Sequence, residues 1–243
     1  MRTSAEAVRG VPVLDDGDDL GAILRERVDD ADVVCVASTA VSRTEGRSVD
    51  LSSVEASERA ERLASDLEDA DPRFVEVVLR QSTELLVETP FLLSVTESGR
   101  VAPNAGVDRS NVAGEDHVLL LPEDPMESAS NLSEEIGCPV VVSDTCGRPF
   151  RLGQTGVAIG WSDLPPLRDW RGAVDLHGHE LEATEEAVVD EIAGFANLLM
   201  GESDAGTPAV AFDGLDMDYR GGDRVFRPDE EDVVKRALRD QRS

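Results

Sequence analysis

Lysine is almost missing from this chain. Of 23 basic residues one is lysine, Lys235, and the rest are arginine. With that single lysine in the charged C-terminal stretch, no GxxxxGK[ST] phosphate loop can be drawn, and P-loop chemistry is excluded. No GxGxxG opens a helix after a strand, no GxSxG elbow is present, and His117, His177 and His179 form no HExxH. The three cysteines, Cys35, Cys138 and Cys146, are odd in number and show no CxxC spacing. Neither a disulfide framework nor a zinc knuckle is expected, and Cys146 has no neighbouring histidine to make it a thiolate nucleophile. No apolar run is long enough to span a bilayer, and MRTSAEAVRG lacks the apolar segment of a signal peptide. These absences predict a soluble cytoplasmic protein with no membrane partner.

Positive charge of either kind is scarce. Acids number 51 against those 23 bases, a net charge of −28. The acids are spread over every segment and apolar periodicity survives between them, which argues against a disordered acidic tail. Such a surface resembles that of a salt-accumulating halophile, where ions screen repulsion over about 3 Å at 1 M salt. No basic patch exists to meet a phosphate backbone, so nucleic acid is not an expected partner.

The 243 residues suffice for one large or two small domains with a real core. GVPVLDDGDDLGAILRERV reads as a short strand, a turn and a helix capped near Asp18. DVVCVAS (32–38) reads as a buried strand, with Cys35 in its core. Residues 57–70 and 72–82 read as amphipathic helices joined at Asp71-Pro72. TELLVET and FLLSVTESGRVA suggest a hairpin, HVLLLP (117–122) a strand, and 126–136 a helix. After CPVVV (138–142) comes a glycine-punctuated region with no clear element. TEEAVVDEIAGFANLLM predicts a helix over 184–200 with Val188, Ile192, Phe195 and Leu199 inward and Gly201 as its stop. TPAVAF (207–212) reads as a strand and 229–241 as a charged helix. Strands and helices mix without a βαβ rhythm, so the expected fold class is α+β.

The informative stretch is SDTCGR (143–148), directly after the buried run CPVVV. A carboxylate, a hydroxyl, a glycine and an arginine at a strand end suit either a polar turn or a ligand site. Other oxygen-bearing groups lie in tight contexts: Asp108 and Asn111 in NAGVDRSN, Asp144 and Thr145 in SDTCGR, Glu202 in MGESDAG. Carboxylates and hydroxyls are hard ligands, suited to magnesium or manganese. Glu202 lies just beyond a helix C-terminus, whose partial negative charge favours a cation. His177 and His179, two apart in DLHGHE, allow a metal site or a polar loop. An aspartyl-nucleophile phosphatase would need a second acid where Cys146 stands. A non-catalytic nucleotide-binding module could dispense with Asp144 or Glu202.

Together the stretches VSRTEGR (41–47), NAGVDRSNV (104–112), LLLPEDP (119–125), VSDTCGRPFRLGQTGVAIG (142–160), PPLRDWRGAVDLHGHELEAT (165–184) and VDEIAGFANLLMGE (189–202) resemble the coenzyme F-420-0:L-glutamate ligase family. The resemblance runs in order along nearly the whole chain. It implies a GTP-dependent ligase that joins L-glutamate to the lactyl carboxylate of F-420-0 and releases GDP and phosphate. A second, gamma-linked glutamate, two divalent ions (Mg2+ or Mn2+) and K+ belong to the same expectation. So does an α+β fold: one ligase unit over 1–243 with two interleaved lobes, forming an intertwined homodimer. The additional domain of some relatives is not expected after Ser243. Carried over by position, the metal ligands are Asp108, Asp144, Thr145 and Glu202. The GTP contacts are Val11, Pro12, Val13, Leu14, Ser38, Thr39, Arg43 and Asn111, with the loop Met200, Gly201, Glu202, Ser203, Asp204, Ala205, Gly206 and Thr207. Arg43 stands where the family usually has lysine, keeping the charge but not the geometry, and DLHGHE departs from the family's usual tyrosine and arginine.

The chemistry explains the residue types. A carboxylate becomes an acylating agent only after a phosphoryl group gives it a leaving group. Two anions must then approach, and like charges 4 Å apart repel by about 4 kcal/mol at an effective dielectric of 20. Metal ions and arginines offset that repulsion. Arg148 and Arg151, flanking the motif, are the catalytic candidates by position, and Gly147 is expected to allow close approach of the backbone.

Overall fold

A computed structural model describes residues 2–109, 114, 116–203 and 205–241. The chain divides into two compact units, Met1–Glu45 with Pro122–Val225, and Gly46–Leu121 with Phe226–Ser243. It runs through β1 (Ser4–Ala7), α1 (Leu20–Arg25), β2 (Val33–Ala37) and α2 (Ser38–Thr44) in the first unit. In the second come β3 (Ser48–Asp50), α3 (Glu58–Ser65), α4 (Pro72–Arg80), β4 (Glu84–Val87), β5 (Leu93–Val95), β6 (Val101–Pro103) and β7 (His117–Leu119). The first unit resumes with α5 (Pro125–Ile136), β8 (Val140–Arg148), β9 (Arg151–Ser162), β10 (Arg168–Asp169), β11 (Glu185–Glu186), α6 (Val188–Met200) and β12 (Ala209–Asp213). The last helix, α7 (Val233–Asp240), belongs to the second unit. The mixture of helices and several sheets is α+β, as expected.

The first unit is built on the sheet β1-β12-β2-β8-β9, antiparallel except for the pair β2–β8. The β-branched runs predicted to be buried are its centre: Val33, Val34, Cys35, Val36 and Val140 to Val142 are 0% exposed. Burial pushes the Cys35 thiol up to about 12, against a hydrogen bond with Ser143 that lowers it. Helix α5 starts where Asp124 accepts the Met126 and Glu127 N–H groups and Pro125 fills the first position; Gly137, at φ 90°, ends it.

Strand β9 was not legible in sequence, because its glycines read as turn signals. Pairing with β8 overrides them, and one residue is added in β9 where Val142 faces Gly160 but Ser143 faces Ala158. In a regular strand Gly156 and Gly160 would share a face. The extra residue reverses the alternation, so that Gly160 meets the backbone of Pro125 in α5 and Gly156 that of Ala193 in α6. Any Cβ at either position would overlap a carbonyl oxygen.

This close approach corrects the predicted stripe of α6. Val189, Ile192, Ala193, Ala196 and Met200 are buried, while Phe195 and Leu199, predicted to face inward, are exposed. Small side chains must face the sheet where backbone meets Gly156, and Phe195 turns aside to lie 6.0 Å from the ring of Phe212. The helix also begins later than predicted, at Val188, since Glu185 and Glu186 pair with β10. At the N-terminal end, GVPVL forms no strand, and the cap of α1 is Asp19, one residue past the predicted one. Asp18 instead accepts the Asp15 N–H.

In the second unit Leu51, Leu63, Val75, Val78, Leu85, Leu92, Val118 and Leu120 form the core. Ser57 caps α3, which ends at Ser65 rather than 70, and Asp71 with Pro72 starts α4 as expected. The predicted hairpin is three antiparallel strands, β4-β5-β6. Helix α7 is held to them by Arg239, whose Nη2 donates to Glu84 Oε2 at 2.6 Å. The single lysine is here too: Lys235 is 5% exposed and donates to Gly99 O and Asp229 Oδ1 at 3.4 and 3.3 Å.

Candidate functional site

Strand β2 stops at Ala37, opposite Ser143, and the chain turns at once into α2. Strand β8 does not stop with it. The SDTCGR stretch, expected to be a strand end or turn, is the second half of a nine-residue strand. Beyond Ser143, among the described residues, only β9 pairs with β8 as a strand. Asp144 and Thr145 thus lie just past the carboxyl end of β2, in the stretch of β8 that runs on beyond it. Ser38, the first residue of α2 and 3% exposed, points its hydroxyl at Asp144 Oδ1 at 3.4 Å.

The other side of the site is the end of α6. Gly156 is the cross-strand partner of Thr145, and because it has no Cβ the backbone of Ala193 rests against it. One turn later Asn197 arrives beside Thr145, whose hydroxyl lies 3.4 Å from Asn197 Oδ1 and 3.4 Å from Glu202 Oε1. The Asn197 amide donates to that same Glu202 oxygen at 2.8 Å. The helix stops at Gly201 (φ 74°), whose N–H donates to the Asn197 carbonyl at 3.0 Å. Thr207, buried, closes the following loop by donating to Met200 O at 2.9 Å.

The structure therefore gathers Ser38, Asp144, Thr145 and Glu202 in one unit, and adds Asn197 and Gly156, which sequence reasoning missed. A signal was present: in FANLLMGE the asparagine stands in the last turn, four residues before the stop glycine and five before the acid. The contacts of 3.4 Å are long for hydroxyl hydrogen bonds, which favour about 2.7 Å. The Thr145 hydroxyl and the Glu202 carboxylate stand beside the negative end of α6, an arrangement that favours a cation.

The remaining candidates are more scattered. Val11 and Pro12 lie in the segment between β1 and α1, where Leu14 is buried and Val13 exposed. Thr39 is in the first turn of α2 and Arg43 in its last. Met200 ends α6; Gly201, Ser203, Ala205 and Gly206 follow it. Arg148 and Arg151 face each other across the exposed tip of the β8–β9 hairpin and make no ion pair among the described residues. A Cβ at Gly147 would meet no protein atom, whereas one at Gly156 would meet the Ala193 carbonyl oxygen. Asn111 and Asp204 lie outside the described residues.

Asp108 belongs to the second unit, where it exchanges two backbone hydrogen bonds with Leu119 at 2.9 and 2.8 Å. It follows a turn in which Asn104, Ala105 and Gly106 all have positive φ, at 51°, 54° and 73°. Two non-glycine residues held in that region cost of order 1 kcal/mol each, a strain that marks functional segments. Asp108 lines a cavity of about 410 Å³ with Asn104, Phe91 and Arg109, and the Arg109 guanidinium sits 4.2 Å above the Phe74 ring. His177 and His179 lie in a polar loop in which both backbone N–H groups donate to Asp175 Oδ1, at 2.8 and 2.9 Å.

Among the described residues no group of three or more His, Cys, Asp and Glu side chains gathers to hold a metal. Carboxylates with a hydroxyl are nonetheless fitting ligand types for Mg2+ or Mn2+, since magnesium sites use one or two protein carboxylates and complete their shell with phosphate and water. No helix among the described residues is long and apolar enough to cross a membrane.

Residues 10–214 match the model of the family described as F420-0:Gamma-glutamyl ligase. A coenzyme F420:L-glutamate ligase of Natronomonas pharaonis is 55% identical over 97% of this chain and 96% of its own. One of Halorubrum lacusprofundi is 53% identical over 96% of each chain, and one of Archaeoglobus fulgidus 44% identical over 98% of this chain and 99% of its own. With the family model covering most of the chain, and the relatives nearly all of it, this protein belongs to the F420-0:gamma-glutamyl ligase family, a family of enzymes that are ligases.

Proposed function

We propose that this ligase joins L-glutamate to F420-0 at the expense of GTP, and adds a second glutamate through a gamma link. In the first step an oxygen of the acceptor carboxylate bonds to the γ-phosphorus of GTP while the bond to GDP breaks. The glutamate amine then attacks the acyl carbon, the bond to phosphate breaks, and the amine loses a proton. Asp144, Thr145 and Glu202 hold divalent metal, with Asp108 as a further proposed ligand. When bound, Mg2+ or Mn2+ supplies charge neutralisation between the two anions. Ser38, Thr39, Arg43 and Asn111, with the segments 11–14 and 200–207, take the nucleotide; Arg148 and Arg151 oppose the charge of the transferred group. K+ as an activator, a homodimer and a cytoplasmic setting complete the reading.

One observation supports it: Glu202, beyond α6, lies against the Thr145 hydroxyl of β8 and the Asn197 amide, while the adjacent Asp144 lies against the Ser38 hydroxyl.

The test is incubation of the protein with F420-0, GTP, Mn2+ and glutamate in high KCl, followed by mass spectrometry. Products heavier by one and then two glutamyl residues are expected, dependent on GTP. Nucleotide binding with no change in acceptor mass would make the protein a non-catalytic nucleotide module and overturn the proposal.

A further inference from the structure

We infer that Asn197 is a positioning residue for this reaction, one that presets Glu202 and Thr145 for metal. The inference rests on the metal reading above. Its basis is the way one side chain is used at both ends. Nδ2 donates to Glu202 Oε1 at 2.8 Å, a full-strength hydrogen bond to a carboxylate. Oδ1 faces the Thr145 hydroxyl at 3.4 Å. The amide orientation is thereby fixed: only nitrogen can donate to the carboxylate, and only oxygen can receive the hydroxyl proton.

The Thr145 hydroxyl can donate to Asn197 Oδ1 or to Glu202 Oε1, each 3.4 Å away, and either choice leaves its lone pairs for a cation. Engaging Oε1 of Glu202 leaves Oε2 without a hydrogen bond among the described residues. Glu202 follows the helix stop, in a loop where Thr145 and Asn197 are the hydrogen-bonding neighbours of its side chain among the described residues. Two like charges and a helix C-terminus would otherwise drive that carboxylate outward. Asn197 opposes this with a neutral donor, which adds no charge to the site.

The placement of Asn197 is itself over-determined. Its backbone carbonyl accepts the Gly201 N–H at 3.0 Å, so the residue that terminates α6 also reaches forward to the acid beyond it. Its Cβ lies about as close to Gly156 as packing allows, at 3.1 Å from where a Cβ on that glycine would stand. The close approach of helix to strand thus fixes the base of the Asn197 side chain opposite Thr145, the cross-strand partner of Gly156. Groups that orient metal ligands in this way are worth roughly 10- to 100-fold in metal affinity.

The experiment measures Mn2+ binding to the nucleotide-free protein by electron paramagnetic resonance, together with turnover and metal-free melting. Asn197→Ala removes both contacts, and Asn197→Leu does so at nearly constant volume with a good helix former. Both variants are expected to melt close to the parent without metal, to bind Mn2+ at least about tenfold more weakly, and to regain most of kcat at saturating Mn2+. Mn2+ affinity within twofold of the parent in Asn197→Leu would overturn the positioning role while leaving the metal site intact. A parent protein that binds no Mn2+ would overturn the metal reading beneath it, and this inference with it.

Discussion

The carbonyl oxygen of Ala193 occupies the space that a Cβ on Gly156 would need. This one contact sets how deep α6 lies on the sheet, and therefore where Asn197 and Glu202 meet Thr145. A methyl group there must push the helix outward.

Gly156→Ala is accordingly expected to lower stability by about 1–3 kcal/mol, the usual cost of overpacking, and to reduce ligation beyond what the lost stability explains. Gly147→Ala, where a Cβ meets open space, should melt like the parent. Denaturant unfolding of the two variants makes the comparison; equal midpoints would show that α6 is not held by this approach.

Asp144→Asn is expected to reduce glutamate transfer by at least about a hundredfold, beyond the range for residues that merely support ligands, with the fold intact. Removing one charge from a cluster of acids should leave metal-free melting equal or higher. Glu202→Gln should behave alike, with partial recovery in excess Mn2+. Thermal melts with and without metal, beside mass spectrometry of the product, decide it. Parent-level turnover in Asp144→Asn would remove this carboxylate from the site.

Arg43→Ala is expected to raise KM for GTP several-fold, whereas Arg43→Lys, which keeps the charge, should retain most activity. Steady-state kinetics at fixed metal and acceptor measure both. An unchanged KM in the alanine variant would make Arg43 structural, at the end of α2.

Asp169 supplies a test in pH. Hydrogen bonds from the Arg171 guanidinium, at 2.8 and 2.6 Å, and from its backbone N–H hold this carboxyl down at about 2. The folded value is below the unfolded one, so the contribution is present above about pH 4 and is lost as pH falls through 2. The difference in melting temperature between the parent and Arg171→Gln should therefore be steady near neutrality and close between about pH 4 and pH 2. A difference that persists to pH 2 would place the effect of Arg171 elsewhere.

The charge of −28 predicts dependence on salt. Raising KCl from 0.1 to 1 M shortens screening from about 10 to about 3 Å, and the melting temperature should climb with it as repulsion among the acids is suppressed. Scanning calorimetry across that range makes the measurement. A melting temperature indifferent to salt would mean that the acids are neutralised internally.

What the sequence settled by itself is what depends on neighbours a few residues away. The starts of α3, α4 and α5 follow from Ser57, Asp71-Pro72 and Asp124-Pro125, and the ends of α5 and α6 from Gly137 and Gly201, because a cap is made within one turn of its helix. The valine runs of β2 and β8 announced their burial through β-branching alone, and the oxygen-rich, lysine-poor composition limited the chemistry open to the chain. The tertiary structure decided the rest. Glycines in β9 signal turns locally, yet there they admit two helices, and pairing with β8 turns the segment into a strand. The true inward face of α6 depended on the backbone it had to meet, so Ala193 and Ala196 displaced the larger Phe195. Asn197 reached Thr145 for the same reason: contacts between distant strands and helices are fixed by the packing of backbones, which no local periodicity encodes.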